Sequence, residues 1–200
     1  MGRSTGVWAS RRAASSIWDG GNNRTFFATT GFTYEDREGG TLPGQCLQRL
    51  ASGMSKLLGT LRREPFSVTA TYTYVHARET VDAIERDVPL TPRHSAGIVG
   101  MWETEDVGRF GVEWYYTGRQ SLEENPCRAV SEPYMILGLL AEKPFGRVRL
   151  FVNGENLTGV RQTRWDPLLR RTQAADGRWT VNAWAPLEGR NISGGLRIRF

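Results

Sequence analysis

The chain has 200 residues, with 26 Lys and Arg against 21 Asp and Glu, so it carries a formal charge of +5. That length suits one domain, and 24% charged with 10% aromatic residues excludes wholesale disorder. The mean hydropathy of −0.44 and the shortness of the longest nearly pure apolar run, 135–141, exclude a chain that crosses a bilayer with helices. They leave open a transmembrane β-barrel, whose alternating strands stay polar on average.

Residues 1–23 read as an irregular segment. Arg11 and Arg12 interrupt it, and it lacks the apolar stretch of a secretory signal. Residues 24–65 come next. Within them 25–34 reads as a strand that runs into Glu35-Asp36-Arg37-Glu38 and a Gly39-Gly40 turn. Leu47, Leu50, Met54, Leu57, Leu58 and Leu61 then recur at helical spacing beside Arg49, Lys56, Arg62 and Arg63, which predicts a short basic amphipathic helix.

From residue 66 to residue 200 the pattern has period two. Phe66, Val68, Ala70, Tyr72 and Tyr74 alternate with Ser67, Thr69, Thr71 and Thr73. Ile192, Gly194, Leu196, Ile198 and Phe200 alternate with Asn191, Ser193, Gly195, Arg197 and Arg199 in the same way. Side chains alternate across a strand, so each segment has one apolar face. Strands are expected over 66–78, 93–104, 108–119, 134–143, 146–155 and 191–200. Their lengths match the ~9–11 tilted residues that cross a bilayer core. The connections at 104–107 and 143–145 are short, while those at 79–91, 120–133 and 155–190 are long. Short turns at one end and long loops at the other describe an outer-membrane type of meander. Trp114-Tyr115-Tyr116, Tyr72 with Tyr74, and Tyr134 fall near strand ends, where aromatic girdles lie.

The residues that carry chemistry elsewhere form no motif here. Cys46, Cys127, His76 and His94 have no compact zinc spacing. Cys46 and Cys127 would suit at most one long-range disulfide. Glu123-Glu124 and Glu103/Glu105/Asp106 lie in connections, where carboxylates are solvated. Ser121 and Ser131 lack an acid or His at motif spacing, and no phosphate-binding glycine loop occurs. The arginines are dispersed, against a nucleic-acid groove. The expectation is therefore no enzyme, no catalytic residues, no cofactor, no metal and no nucleic acid.

Several stretches resemble one family. Pro89-Leu90-Thr91-Pro92-Arg93-His94 opening a strand, Glu113-Trp114-Tyr115-Tyr116-Thr117-Gly118-Arg119-Gln120, Asn153-Gly154-Glu155-Asn156-Leu157-Thr158, and Pro186-Leu187-Glu188-Gly189-Arg190 before a last strand ending in Phe200 are similar to the C-terminal barrel of TonB-dependent outer-membrane receptors. The likeness covers 66–200. The stretch 29–44 also resembles a family segment, one that belongs nearer the start of the barrel. Such receptors have about 22 strands around a plugged lumen, more than this length holds. The chain therefore resembles a truncated or internally deleted receptor.

The resemblance implies an all-β fold, an antiparallel meander forming part of a transmembrane β-barrel. It implies a fragment of a receptor for active uptake of a scarce ligand, most often an iron–siderophore complex, that is not transport-competent alone. The implied location is the outer membrane. The implied partners are outer-membrane lipid, the barrel assembly machinery, TonB where an N-terminal plug is present, and a ferric siderophore. Thr69, Thr71, Thr73, Glu113, Arg147, Arg149, Arg197 and Arg199 would face the lumen. Arg161, Arg164, Trp165, Arg170, Arg171, Trp179 and Trp184 in the last long loop would face outward, where arginine and tryptophan hold anionic chelates by charge and stacking. The alternative is a small stand-alone β-barrel or a soluble β-sheet binding module.

Overall fold

Alternating residues need a sheet to sort them onto two faces, and the chain forms one large antiparallel sheet. The structure is a computed structural model; it describes the backbone of residues 9–20, 24–37, 48–81 and 84–199, and the side-chain surroundings of 53–80 and 84–199. The strands are β1 (Ala9–Gly20), β2 (Arg24–Arg37), β3 (Gln48–Arg63), β4 (Phe66–Val81), β5 (Ile84–Asp87), β6 (His94–Thr104), β7 (Gly108–Thr117), β8 (Tyr134–Phe145), β9 (Val148–Glu155) and β10 (Asn191–Ile198). The spatial order is β1-β2-β3-β4-β6-β7-β8-β9-β10, with β5 paired only to β4. Every pairing is antiparallel. The expected all-β meander is therefore the observed fold, and the sheet is open, with β1 and β10 at its edges.

All six strands expected beyond residue 66 are present, and their ends move by a few residues. The turns at Glu64-Pro65, Glu105–Val107 and Gly146-Arg147 gather at one end of the sheet. The long connections 118–133 and 156–190 gather at the other. The connection read as a loop at 79–91 contains β5, which folds back on the end of β4 from Arg78↔Asp87 to Val81↔Ile84.

Two expectations upstream are corrected. The segment 1–23 is not irregular throughout, because 9–20 is strand β1, paired with β2 from Ala9↔Tyr34 to Gly20↔Arg24. The amphipathic helix is absent: Leu50, Met54, Leu57, Leu58 and Leu61 lie in strand β3, while Leu47 lies outside the described residues. Two-sided pairing overrides the local pattern. β3 is hydrogen-bonded to β2 along Arg24↔Leu61 to Arg37↔Gln48 and to β4 along Arg49↔Thr80 to Arg63↔Phe66. The leucine spacing suits either period in part, but Gly53, Ser55, Gly59 and Thr60 are poor helix formers. In the strand, Leu57 and Leu61 take one face and Met54 and Leu58 the other.

Buried apolar side chains are few. Among the described residues they are Val160, Val181, Trp184 and Ala185, all in the last long loop. Among the described residues no apolar side chain of the strands is buried on either face.

Candidate functional site

Residues directly opposite across an antiparallel pair share a face, so the registers assign each side chain. One row runs Leu61, Val68, Gly100, Val112, Leu139, Gly154 and Ile192 across seven strands without a polar side chain. The next row toward the turns runs Phe66, Trp102, Phe110, Ala141, Val152 and Gly194. Toward the loops lie Gly59, Ala70, Ile98, Trp114 and Leu137, and then Leu57, Tyr72, Ala96, Tyr116 and Met135. This face is apolar from β3 to β10 between its ends, with Arg63 and Lys143 on it only at the turn end, and it is open to the surroundings. Ile192 is 70% exposed and Leu196 61%. A monomer in water seldom shows an apolar patch of more than a few hundred Å².

Aromatic rings bound this face at both ends. Phe66, Trp102 and Phe110 stand opposite one another at the turn end. At the loop end Trp114 stacks on Tyr116 at 6.4 Å. Tyr74 lies opposite His94, with ring centroids 5.2 Å apart, and the Tyr72 hydroxyl is 2.7 Å from His94 Nδ1. His94, a candidate ligand only by residue type, is thus part of the aromatic belt. Eight residue steps separate Phe66 from Tyr74, roughly 27 Å along the strand and about 20 Å after a ~40° tilt, comparable with the ~25 Å apolar band of outer-membrane barrels.

The opposite face is mixed. Thr69, Thr71, Thr73, Glu113, Arg149 and Arg197 share it, as expected. Thr60 and Thr69 hydroxyls lie 3.2 Å apart. Near the turns an alternating ladder of charge crosses the strands: Arg109 pairs with Glu103 at 2.6 Å, and Arg149 with Glu142 at 2.7 Å, while Arg109 stands opposite Glu142. Between Glu142 and the loops, Ile136 and Leu140 make the β8 part of this face apolar.

The long loops form the one closely packed part of the described chain. Gln162, in a single 3-10 turn (Gln162–Arg164), is 0% exposed. Its amide donates to Asn182 O at 3.0 Å and accepts from Trp184 N at 2.9 Å. Asp166, 1% exposed, accepts from Trp184 Nε1 at 3.0 Å and from Arg128 Nε at 2.8 Å. Burial works against the Arg128 charge, but the hydrogen bonds and charges of Asp166 and Glu132 outweigh it and hold the guanidinium pKa above the ordinary arginine value. The ring of Trp184 also packs against Trp165, with centroids 5.3 Å apart. Trp184 is thus a structural residue of the loop assembly, whereas Trp179 and the side chains of Arg161, Arg164 and Arg171 are exposed.

Asn156 starts this assembly. Its backbone is left-handed, with φ of 48°, a conformation that asparagine tolerates better than most residues. Its Nδ2 donates to Val160 O at 2.7 Å and Glu188 O at 3.0 Å, and its Oδ1 accepts from Val160 N at 3.0 Å. Leu157 N donates to Leu137 O, and the Leu157 side chain lies over Gly154, where a Cβ would meet Leu157 Cδ2 at 3.0 Å. These contacts give the Asn-Leu pair of the sequence a physical reason that strand periodicity does not supply.

A cleft of about 610 Å³ opens beside the loops, lined by Asp87, Arg93, His94, Tyr116, Arg119 and Gln120 among others. Arg93 and Asp87 are ion-paired across its wall at 2.8 Å. Cys127 is a free, exposed thiol, and Cys46 lies outside the described residues. Among the described residues no three His, Cys, Asp or Glu side chains converge as a metal ion needs, and no helix is long and apolar enough to cross a membrane. Comparisons with protein families, with curated proteins and with solved structures return no match to this chain.

Proposed function

We propose that this chain is a segment of a transmembrane β-barrel of the TonB-dependent receptor type, a fragment of an uptake receptor for a scarce ligand such as a ferric siderophore. The observation that carries the membrane reading is the continuous, exposed apolar face running in register from β3 to β10 between two aromatic belts. Lipid is the surroundings that such a face suits. The receptor type rests on the resemblance of 66–200 and on long loops packed together at one end.

Strand parity supports the fragment reading. Among the described residues nine strands follow one another antiparallel along the path, so edge strands β1 and β10 run in the same direction. Closing the sheet on itself would require a parallel seam. An all-antiparallel barrel requires an odd number of further strands between them, as in the even-stranded barrels of bacterial outer membranes. An open sheet encloses no lumen, and on this reading the segment alone transports nothing.

The test is expression behind a signal peptide, with fractionation and a heat-modifiability assay. The expected product is β-rich and membrane-associated, and without the signal peptide it aggregates through its open edges. A soluble, monodisperse product without the signal peptide overturns the membrane reading. Restored growth of a receptor-null strain on a scarce chelate overturns the claim that the segment is inactive alone.

A further inference from the structure

Five arginines at the loop end have a carboxylate partner among the described residues, Arg78 with Glu85 being one. Arg86 pairs with Glu79 and Glu123, Arg93 with Asp87, Arg128 with Asp166 and Glu132, and Arg178 with Asp176 and Glu124. Arg119, Arg161, Arg164, Arg170, Arg171 and Arg190 have no carboxylate within ion-pair distance among the described residues. Of these, Arg164 and Arg190 meet over Gly159, and Arg161 lies against Gly189, the neighbour of Arg190. A Cβ at Gly159 would lie 3.2 Å from Arg190 Nε and 3.5 Å from Arg164 Nη2. Both nitrogens are close to one point, and so are no more than about 7 Å apart, a range in which two like charges repel. A Cβ at Gly189, the residue before Arg190, would lie 3.3 Å from Arg161 Nε. The two glycines are what let the guanidinium groups lie against the backbone.

The arrangement is held from below. Gly159 has φ of 68° and is placed by its N–H to Asn156 O at 2.7 Å. Gly189 is placed by its carbonyl, which accepts from Asn156 Nδ2 at 3.3 Å. Arg190 Nε donates to Leu157 O at 2.8 Å. One asparagine thus fixes both backbone segments that carry the cluster. Three guanidinium groups without a counter-charge carry unused donors in the planar fork geometry that suits tetrahedral oxyanions.

We propose that Arg161, Arg164 and Arg190 form an oxyanion site that takes a phosphate monoester. The cluster lies just beyond the loop ends of β9 and β10, beside Leu157, whose side chain covers Gly154 on the apolar face. A phosphate at that level is supplied either by a lipid headgroup or by a soluble phosphate ester. The site itself does not depend on the membrane reading; only the lipid source does.

The experiment uses the full chain refolded in a maltoside detergent, with inorganic phosphate as probe and ³¹P line broadening as readout, at low salt. Wild type is expected to bind phosphate and to lose it as salt rises. Arg161→Gln with Arg164→Gln is expected to weaken binding at least about tenfold, in line with loss of charge-assisted hydrogen bonds. Arg147→Gln with Arg199→Gln, at the turn end, is expected to leave it unchanged. The single Arg164→Gln is read beside the double variant, because the Arg164 side chain makes no hydrogen bond among the described residues; heat-modifiability reports folding separately. Unchanged phosphate binding in the folded variants, or no binding by folded wild type, overturns the proposal. Co-sedimentation with phosphatidylcholine vesicles, with and without phosphatidic acid, then separates the sources. An Arg164-dependent gain with phosphatidic acid assigns the site to a lipid headgroup, and phosphate binding without that gain assigns it to a soluble ester.

Discussion

Trp184 Nε1 donates to Asp166 Oδ2 at 3.0 Å, and the same carboxylate receives Arg128 Nε at 2.8 Å through its other oxygen. Two long connections separated by β8 and β9 are thus joined through one buried side chain. A buried carboxylate is stable only when its oxygens are occupied by donors, and here both are. Asp166→Asn keeps the shape but removes the charge that holds Arg128. It is expected to destabilise the loop assembly by about 1.5–3 kcal/mol, read as faster protease cleavage within 118–133 and 156–190 while the strands stay protected.

Asn156 gives a second expectation. Asn156→Ala loses its bonds to Val160 O and Glu188 O and strains a left-handed backbone. Asn156→Gly loses the same bonds without the strain. Both should loosen the loop, with Ala the worse by about 1 kcal/mol, the usual size of a left-handed penalty. Equal effects in denaturant titrations would place the whole cost on the hydrogen bonds.

The last strand tests the assignment of faces. Ile192 stands opposite Gly154 on the apolar face, in the row between the two aromatic belts, and Arg197 opposite Arg149 on the mixed face. Arg on the lipid side costs roughly 2–4 kcal/mol near mid-membrane in barrels and less toward the interfaces. Ile192→Arg is therefore expected to impair assembly of a membrane-inserted barrel carrying this segment more than Arg197→Leu does. The heat-modifiable fraction in the membrane measures it, and the reverse order would invert every face given above.

The turn at Asp176 should respond to acid. The backbone N–H of Arg178 first, then its side chain, hydrogen-bond the Asp176 carboxylate and hold its pKa below the ordinary aspartate value. A lowered pKa means the stabilisation is complete above the unfolded value and is lost as pH falls through the folded one. The fluorescence of exposed Trp179, next to Arg178, is expected to change in that acid range, and Asp176→Asn to abolish the change. A transition nearer neutral pH would assign it to another group.

The sequence by itself determined the sheet from residue 66 onward, because covering one face of a strand demands period two and the chain keeps it. It placed Thr69, Glu113 and Arg197 on one side, since parity along a strand needs no knowledge of neighbours. It misjudged 48–63, where leucines at mixed spacing satisfy a helix locally and only pairing with β2 and β4 on both sides decides for a strand. β1 was illegible for the same reason: its partners lie in β2, not in its own pattern. The loops were legible only as long and rich in Arg and Trp. Tertiary structure alone decided that Trp184 is buried on Asp166 while Arg164 and Arg190 meet over Gly159 and Arg161 lies against Gly189. Those contacts join residues up to several dozen positions apart, and no local rule of spacing records which distant side chains a folded loop will bring together.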